Sequence, residues 1–434
     1  GTGGFYFQPV KEDIALNDSL VWALVSNDIR NLGVENLNKS IASDWRKEHS
    51  PTYRKVLENK LATEKELEEL REIVPLTMVM KELETPKPTF VLMRGEYDKP
   101  DNNRPVSRSV PASLGRVPES SHSDRRGLAD WLVHNDNPLV ARVFVNRIWE
   151  MIFGTGIVSS SSDFGLGGAW PSHPELLDWL AVEFRESGWD IKSLITLIVT
   201  SKTYQQSSKF QPDGLSKNPD NSLLWAYPRR RLGAEEIRDQ ALYISGLLRE
   251  KFGGPSVKPY QPEGLWKEVA MPQSNTRTFE RGEGEELWRR TLYTYWKRAS
   301  PPPALLTLDA PTREFCSVNR GITNTPLQAL LLWNDEQFVE AARALAQDSL
   351  SNGSSPGAMF ARCTGRSPTP EESEYLQDAL ASFKTRFEDS PSNAEKLLDV
   401  GETPLPSKYD APDLAAWTML ANAILSLDEV ISKN

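Results

Sequence analysis

Histidine and cysteine are scarce in this 434-residue chain, which has four of the first and two of the second. The histidines, at 49, 122, 134 and 173, form no H-x-x-x-H pair, so the usual histidine pair of a helical metal site is missing and no metal site is predicted. Cys316 and Cys363 supply neither a C-x-x-C zinc pair nor a C-x-x-C-H haem attachment motif. No cofactor is therefore predicted within the chain. The two cysteines lie in different segments and are predicted to be free thiols. No run approaches the roughly 18–20 apolar residues needed to cross a bilayer, so no membrane span is expected. A basic excess is missing as well. Fifty Lys and Arg against 60 Asp and Glu give a formal charge of −10, with a pI near 5.2, which argues against nucleic acid as a partner. There is no G-x-G-x-x-G, no Walker A loop and no G-x-S-x-G elbow. The "DFG" at 163–165 lacks the other kinase elements. The chain starts "GTGGFYFQ" without Met and shows no signal peptide, so it is expected to be a fragment or a processed product.

Proline and tryptophan are plentiful, with 31 and 13 residues. The prolines cut the chain into many short helices. Helix starts are written locally: T-x-x-E at Thr63 and at Thr369, T-x-x-Q at Thr325, Asn137-Pro138 before an apolar run, and Gly233 before "AEEIRDQALYISGLL". Gly154 is a helix stop. Residues 89–93, "TFVLM", read as a short strand. Residues 98–124 and 390–412 read as irregular stretches. The predicted fold is mainly α, many short helices in an irregular orthogonal bundle with one small β element. Residues 1–120 are expected to form an N-terminal helical segment with a short strand and a proline-rich linker, and 121–434 the main helical domain.

Three groups of residues carry candidate chemistry. Ser172 and Glu175 form an S-x-x-E box, predicting that Ser172 caps a helix with His173 in its first turn; His173 is either part of that cap or a functional histidine. Glu96 and Asp98 would share one face if the strand continued, about 6.6 Å apart, a spacing suited to acid–base work on a glycosidic bond. Arg94 beside them would equally make a structural ion cluster. Arg142, Asn146 and Trp149 recur at i, i+4 and i+7, and Arg229, Arg298, Arg313 and Arg320 sit beside Trp, Tyr or Asn. Such a set either binds an anionic sugar through guanidinium forks and rings or stitches helices together through carboxylates.

Long strings of the chain, among them "LADWLVHNDNPLVARVFVNRIWEMIFGTGIV" (128–158), "DFGLGGAWPSHPELLDWLAVEF" (163–184), "GGPSVKPYQPEGLW" (253–266) and "TNTPLQALLLWNDEQFVEAARALA" (323–346), resemble the DUF1553 family, the planctomycete PSD1 domain. Residues 6–18 and 79–100 resemble the segment that precedes that domain. The resemblance implies a large extracytoplasmic protein of the periplasm or cell envelope, with a c-type cytochrome domain and a DUF1549 domain as partners in the same polypeptide. Any c-type haem is expected there, upstream of this sequence. It transfers no active site. The expected function is thus an accessory, binding or scaffold domain contacting anionic polysaccharide. The alternative is a redox or hydrolytic enzyme acting on polysaccharide.

Overall fold

Caps and prolines place the helices. The structure, a computed structural model, describes residues 46–74, 76–118, 121–405 and 409–433, in two compact units split between Ser107 and Arg108. The stretch 6–18 lies outside the described residues. In the first unit, helix α1 spans Pro51–Ile73, with Ser50 accepting from the Tyr53 amide and Pro51 in the first turn. Thr63 does not open a helix. It sits inside α1 with its hydroxyl on the Asn59 carbonyl, because the cap at Ser50 starts the helix three turns earlier. Strand β1, Thr89–Leu92, pairs antiparallel with β2, Pro100–Val106. The first part of the stretch read as irregular is therefore a strand.

The second unit carries helices α2 (Arg125–Leu132), α3 (Val140–Phe153), α4 (Pro174–Glu186), α5 (Ile191–Val199) and α6 (Pro212–Lys217), then β3 (Arg230–Arg231) and α7 (Ala234–Ile244). After them come α8 (Leu265–Val269), α9 (Pro303–Thr307), α10 (Pro326–Asn334), α11 (Glu336–Ser351), α12 (Pro356–Thr364), α13 (Pro370–Glu388), α14 (Pro391–Leu398), α15 (Ala411–Leu425), α16 (Asp428–Ile431) and β4 (Ser432–Lys433). The fold is mainly α, as the helix signals predict. β3 pairs antiparallel with β4, a second small sheet that the sequence did not announce. The boxes at Thr325 and Thr369 both form with both reciprocal bonds, and Gly154 ends α3 in the left-handed conformation. The N-cap of α3 is Leu139 rather than Asn137, and the helix begins at Val140, although the Asn137 side chain accepts from the Leu139 and Val140 amides. Residues 391–398, read as irregular, are α14.

Two helices form the centre. On α11, twelve of sixteen residues are buried, and on α15 ten of fifteen, so both are covered on every side. Ala341, Ala342, Ala346, Ala415, Ala416 and Ala421 are fully buried. Alanine's single methyl lets two helix backbones approach closely. A second core forms where α3 meets α4, with Phe144 and Phe184 stacked at 5.0 Å.

Both cysteines are free. Cys363, on α12, is buried, and burial pushes its thiol up to about 12. Cys316 is exposed on a loop. Reactivity follows the thiolate and its access. One equivalent of a thiol reagent should therefore react rapidly with the native protein at neutral pH, at Cys316, and the second only after denaturant is added. Two equally fast thiols in the native protein would contradict this packing.

Candidate functional site

One opening in the second unit is built by chain segments that are hardly helical. Val257 and residues 293–295 run side by side, with Val257 N donating to Tyr293 O and Tyr295 N donating to Val257 O, both at 2.8 Å. That pairing holds Lys258 next to Tyr295. Gly264, at φ +84, turns the chain into the short helix α8, which buries Trp266 to 2% exposure. Phe279 meets the indole edge-on at 5.0 Å, and Tyr295 packs on it at 5.4 Å. A cleft of about 380 Å3 opens here, lined by Glu263, Trp266, Lys267, Thr278 and Phe279.

The cleft lining itself carries both signs, Glu263 and Lys267, and two further ammonium groups lie against its indole. Lys297 Nζ lies 4.6 Å from the centre of the indole ring and Lys258 Nζ 5.7 Å, each a cation on an aromatic face. Lys297 donates to the carbonyl and hydroxyl of Thr276. Both lysines are half-buried, and neither is ion-paired with a carboxylate among the described residues. The Trp266 Nε1–H is buried and has no acceptor. A buried donor without a partner costs about 1–3 kcal/mol. Two ammonium groups and one orphan N–H call for a ligand rich in acceptors.

A rigid loop adjoins the same chain segment. Arg313 lies 4.2 Å over the ring of Trp296, whose N–H donates to Thr312 O at 3.0 Å. Asp309, at φ +69, closes the base of the loop. It accepts from Thr323 N (2.7 Å), Thr323 Oγ1 (2.8 Å), Gln328 Nε2 (3.1 Å) and the Arg231 guanidinium (2.9 Å). Burial works against this charge, yet the Thr323 bonds and Arg231 hold the carboxyl below its usual range. Residues 312–322 are exposed.

Of the residues singled out in the sequence, the structure brings Arg298 and Arg313 to this neighbourhood. Arg298 follows Lys297 and is exposed, with no ion pair among the described residues. The Arg142, Asn146 and Trp149 stripe is not a ligand face. Asn146 is fully buried, its amide bonded to both backbone groups of Val158 and to Ser161, and Trp149 packs 4.4 Å from Phe153 in the α3–α4 core. Arg142 pairs with Asp178 at 2.7 Å and with the Pro138 carbonyl. Arg229 pairs with Asp428, and Arg320 with Glu235 at 2.7 Å. The carboxylate partners of Arg142, Arg229 and Arg320 lie on three different elements, α4, α16 and α7. Glu96 and Asp98 do not share a strand face. β1 ends at Leu92, Arg94 adopts a left-handed φ of 54, and both acids lie in the exposed β1–β2 connection, where Glu96 pairs with Lys99. His173 is itself the N-cap of α4. Ser172 Oγ turns to the Ile157 carbonyl and to His173 Nδ1 at 2.9 Å, so the S-x-x-E box does not close.

Lys258, Trp266, Phe279 and Lys297 were missed by the sequence reading. The available signal was Trp-Lys, which occurs at 266–267 and again at 296–297.

The cleft and loop fall inside a stretch, residues 124–380, matched by the family model described as PSD1: Protein of unknown function (DUF1553). The chain belongs to the PSD1 family. The match covers more than half of it. No curated protein and no solved structure matches the chain. Among the described residues, this PSD1 chain has no group of three or more His, Cys, Asp or Glu that could hold a metal ion, and no helix long and apolar enough to cross a membrane.

Proposed function

We propose that this PSD1 chain is a non-catalytic binding domain for anionic polysaccharide, working as an accessory part of an extracytoplasmic protein that also carries c-type cytochrome and DUF1549 domains. The observation that supports it is the Trp266 cleft. Lys258 and Lys297 both lie against the indole ring with no carboxylate partner among the described residues, and the buried indole N–H has no acceptor among them. Sugar carboxylates and sulfates supply acceptors and charge together, and charge-assisted hydrogen bonds are roughly twice as strong as neutral ones. Arg298 and Arg313, exposed and with no ion pair among the described residues, extend the positive surface along the chain. The resemblance to cytochrome-linked proteins supplies the setting.

Calorimetric titration with a polyuronate and with a sulfated glucan tests the reading. Lys258→Gln and Lys297→Gln should each weaken binding about tenfold, since one charge-assisted bond contributes about 1.5–3 kcal/mol. Binding should also fall as salt rises. Unchanged affinity in the double variant would remove the cleft from the account. New reducing ends in the incubated polymer would move the assignment to the hydrolytic alternative.

A further inference from the structure

A separate recess in the same unit has its own unmet polar groups. Its walls are four prolines, Pro259, Pro262, Pro302 and Pro303, whose fixed backbone keeps it preformed. Thr294, Gln261 and Asp335 reach it between them. Thr294 is only 8% exposed, and its hydroxyl has no hydrogen-bond partner; the side-chain N–H2 of Gln261 is likewise buried and unpartnered. Asp335 caps α11 by accepting from Gln337 N at 3.1 Å, which leaves carboxylate lone pairs open.

The chemistry of a guest follows from these groups. Gln261 requires an acceptor and Asp335 a donor, while the Thr294 hydroxyl serves either way. Arg238 also lines the recess, and its guanidinium is already bonded to Gln337 Oε1, to Thr291 Oγ1 and to the Leu287 and Arg289 carbonyls. Its fixed positive charge disfavours a cationic guest, and Asp335 disfavours an anionic one. The space, about 20 Å3, admits one oxygen-sized group. A hydroxyl group, like a water molecule, is uncharged, of one oxygen's size, and both donates and accepts.

We propose that this recess is a hydroxyl-binding site, taking one alcohol group of a sugar or other polyol between Thr294, Gln261 and Asp335. Burial raises the Asp335 pKa, as expected of a carboxyl that meets solvent only through a narrow opening. The rest of the ligand lies outside, against the proline rings.

The probe is methyl β-D-glucopyranoside, titrated into the isotope-labelled full chain while the Gln261 side-chain amide is followed by NMR. The expected result is a saturable shift. Thr294→Val should weaken it about fivefold, and Gln261→Leu should have a similar effect on a neighbouring reporter should the valine variant fold poorly. Lys297→Gln should leave it unchanged, which separates this site from the Trp266 cleft. A shift that grows linearly without saturation, as a recess holding only a fixed water would give, overturns the proposal. So does an unaltered titration in the folded Thr294→Val or Gln261→Leu variant.

Discussion

Replacing Glu340 by leucine should cost about 3–5 kcal/mol of unfolding free energy. Glu340, on α11, is 1% exposed. Its two oxygens accept from five donors: Tyr260 Oη and Trp288 Nε1 at 3.0 Å, the Glu402 and Thr403 amides at 2.7 Å, and Thr403 Oγ1 at 2.8 Å. Gly401, at φ +83, lets the chain lie directly on the carboxylate, since a Cβ there would fall 2.6 Å from Glu340 Cδ. Arg343, one turn along, is fully buried, donates to the Leu398 and Thr403 carbonyls, and draws its nearest compensating charge from Glu340. Leucine takes the Glu340 acceptor from all five donors, and the counter-charge from one guanidinium, at once. Glutamine keeps the shape and one acceptor oxygen, and should cost about 1–3 kcal/mol. Urea unfolding of the three proteins checks the order. A leucine variant within about 0.5 kcal/mol of the parent, the scatter of harmless surface changes, would show that the carboxylate does not hold the 399–403 turn.

Arg238→Met should be nearly as destructive and should also damage the cleft. Arg238 is 3% exposed on α7, and burial pulls its pKa down to about 10, which leaves it charged at neutral pH. It grips the Leu287 and Arg289 carbonyls at 2.6 and 2.9 Å. Arg289 in turn holds the carbonyls of Lys251, Gly253 and Pro255 and stacks 3.8 Å over Tyr293. The two arginines thus tie α7 to the segments that position Lys258 and Tyr295. Methionine fills the volume but orphans the carbonyls and takes from Asp239 one of its two cations, leaving it Arg290 at 3.5 Å. A loss of about 3 kcal/mol or more is expected. Amide exchange should accelerate across 287–295, and affinity for polyuronate should fall although Arg238 does not line the Trp266 cleft. Full stability in the methionine variant would mean that the fork is decoration.

Helix boundaries were legible where the signal is local. Thr325 and Thr369 need only their own next turn to close a box, and both close. Ser172 fails for a tertiary reason, because the Ile157 carbonyl fifteen residues upstream takes its hydroxyl. Thr63 fails because a stronger cap at Ser50 had already started the helix. The strand Pro100–Val106 was hidden by two prolines and by a stretch of Asp and Asn. It sits at an edge, where missing amide donors are tolerated.

The candidate site was less legible. A guanidinium's spacing on a helix says which residues share its stripe, and nothing about which carboxylate meets it from another element. Arg142 found Asp178, 36 residues on, and Arg238 found carbonyls about 50 residues away. The groups gathered at the indole are two lysines without a carboxylate partner among the described residues and an unpaired N–H, all on segments of little regular structure. No periodicity marks such positions. Only Arg298 and Arg313 were visible, through their aromatic neighbours.

The Asp309 latch has a consequence for how the molecule tolerates change. One carboxylate fixes residues 309 and 323 to each other, and Trp296 grips Thr312 and Arg313, so the span from 314 to 322 begins and ends on anchored chain. Its length is then almost independent of the core, because doubling a tethered loop adds only about 0.6 kcal/mol of closure entropy. That span is a natural insertion point. A foreign peptide, or a longer natural version of the same loop, can be grafted there while the helices beneath keep their packing.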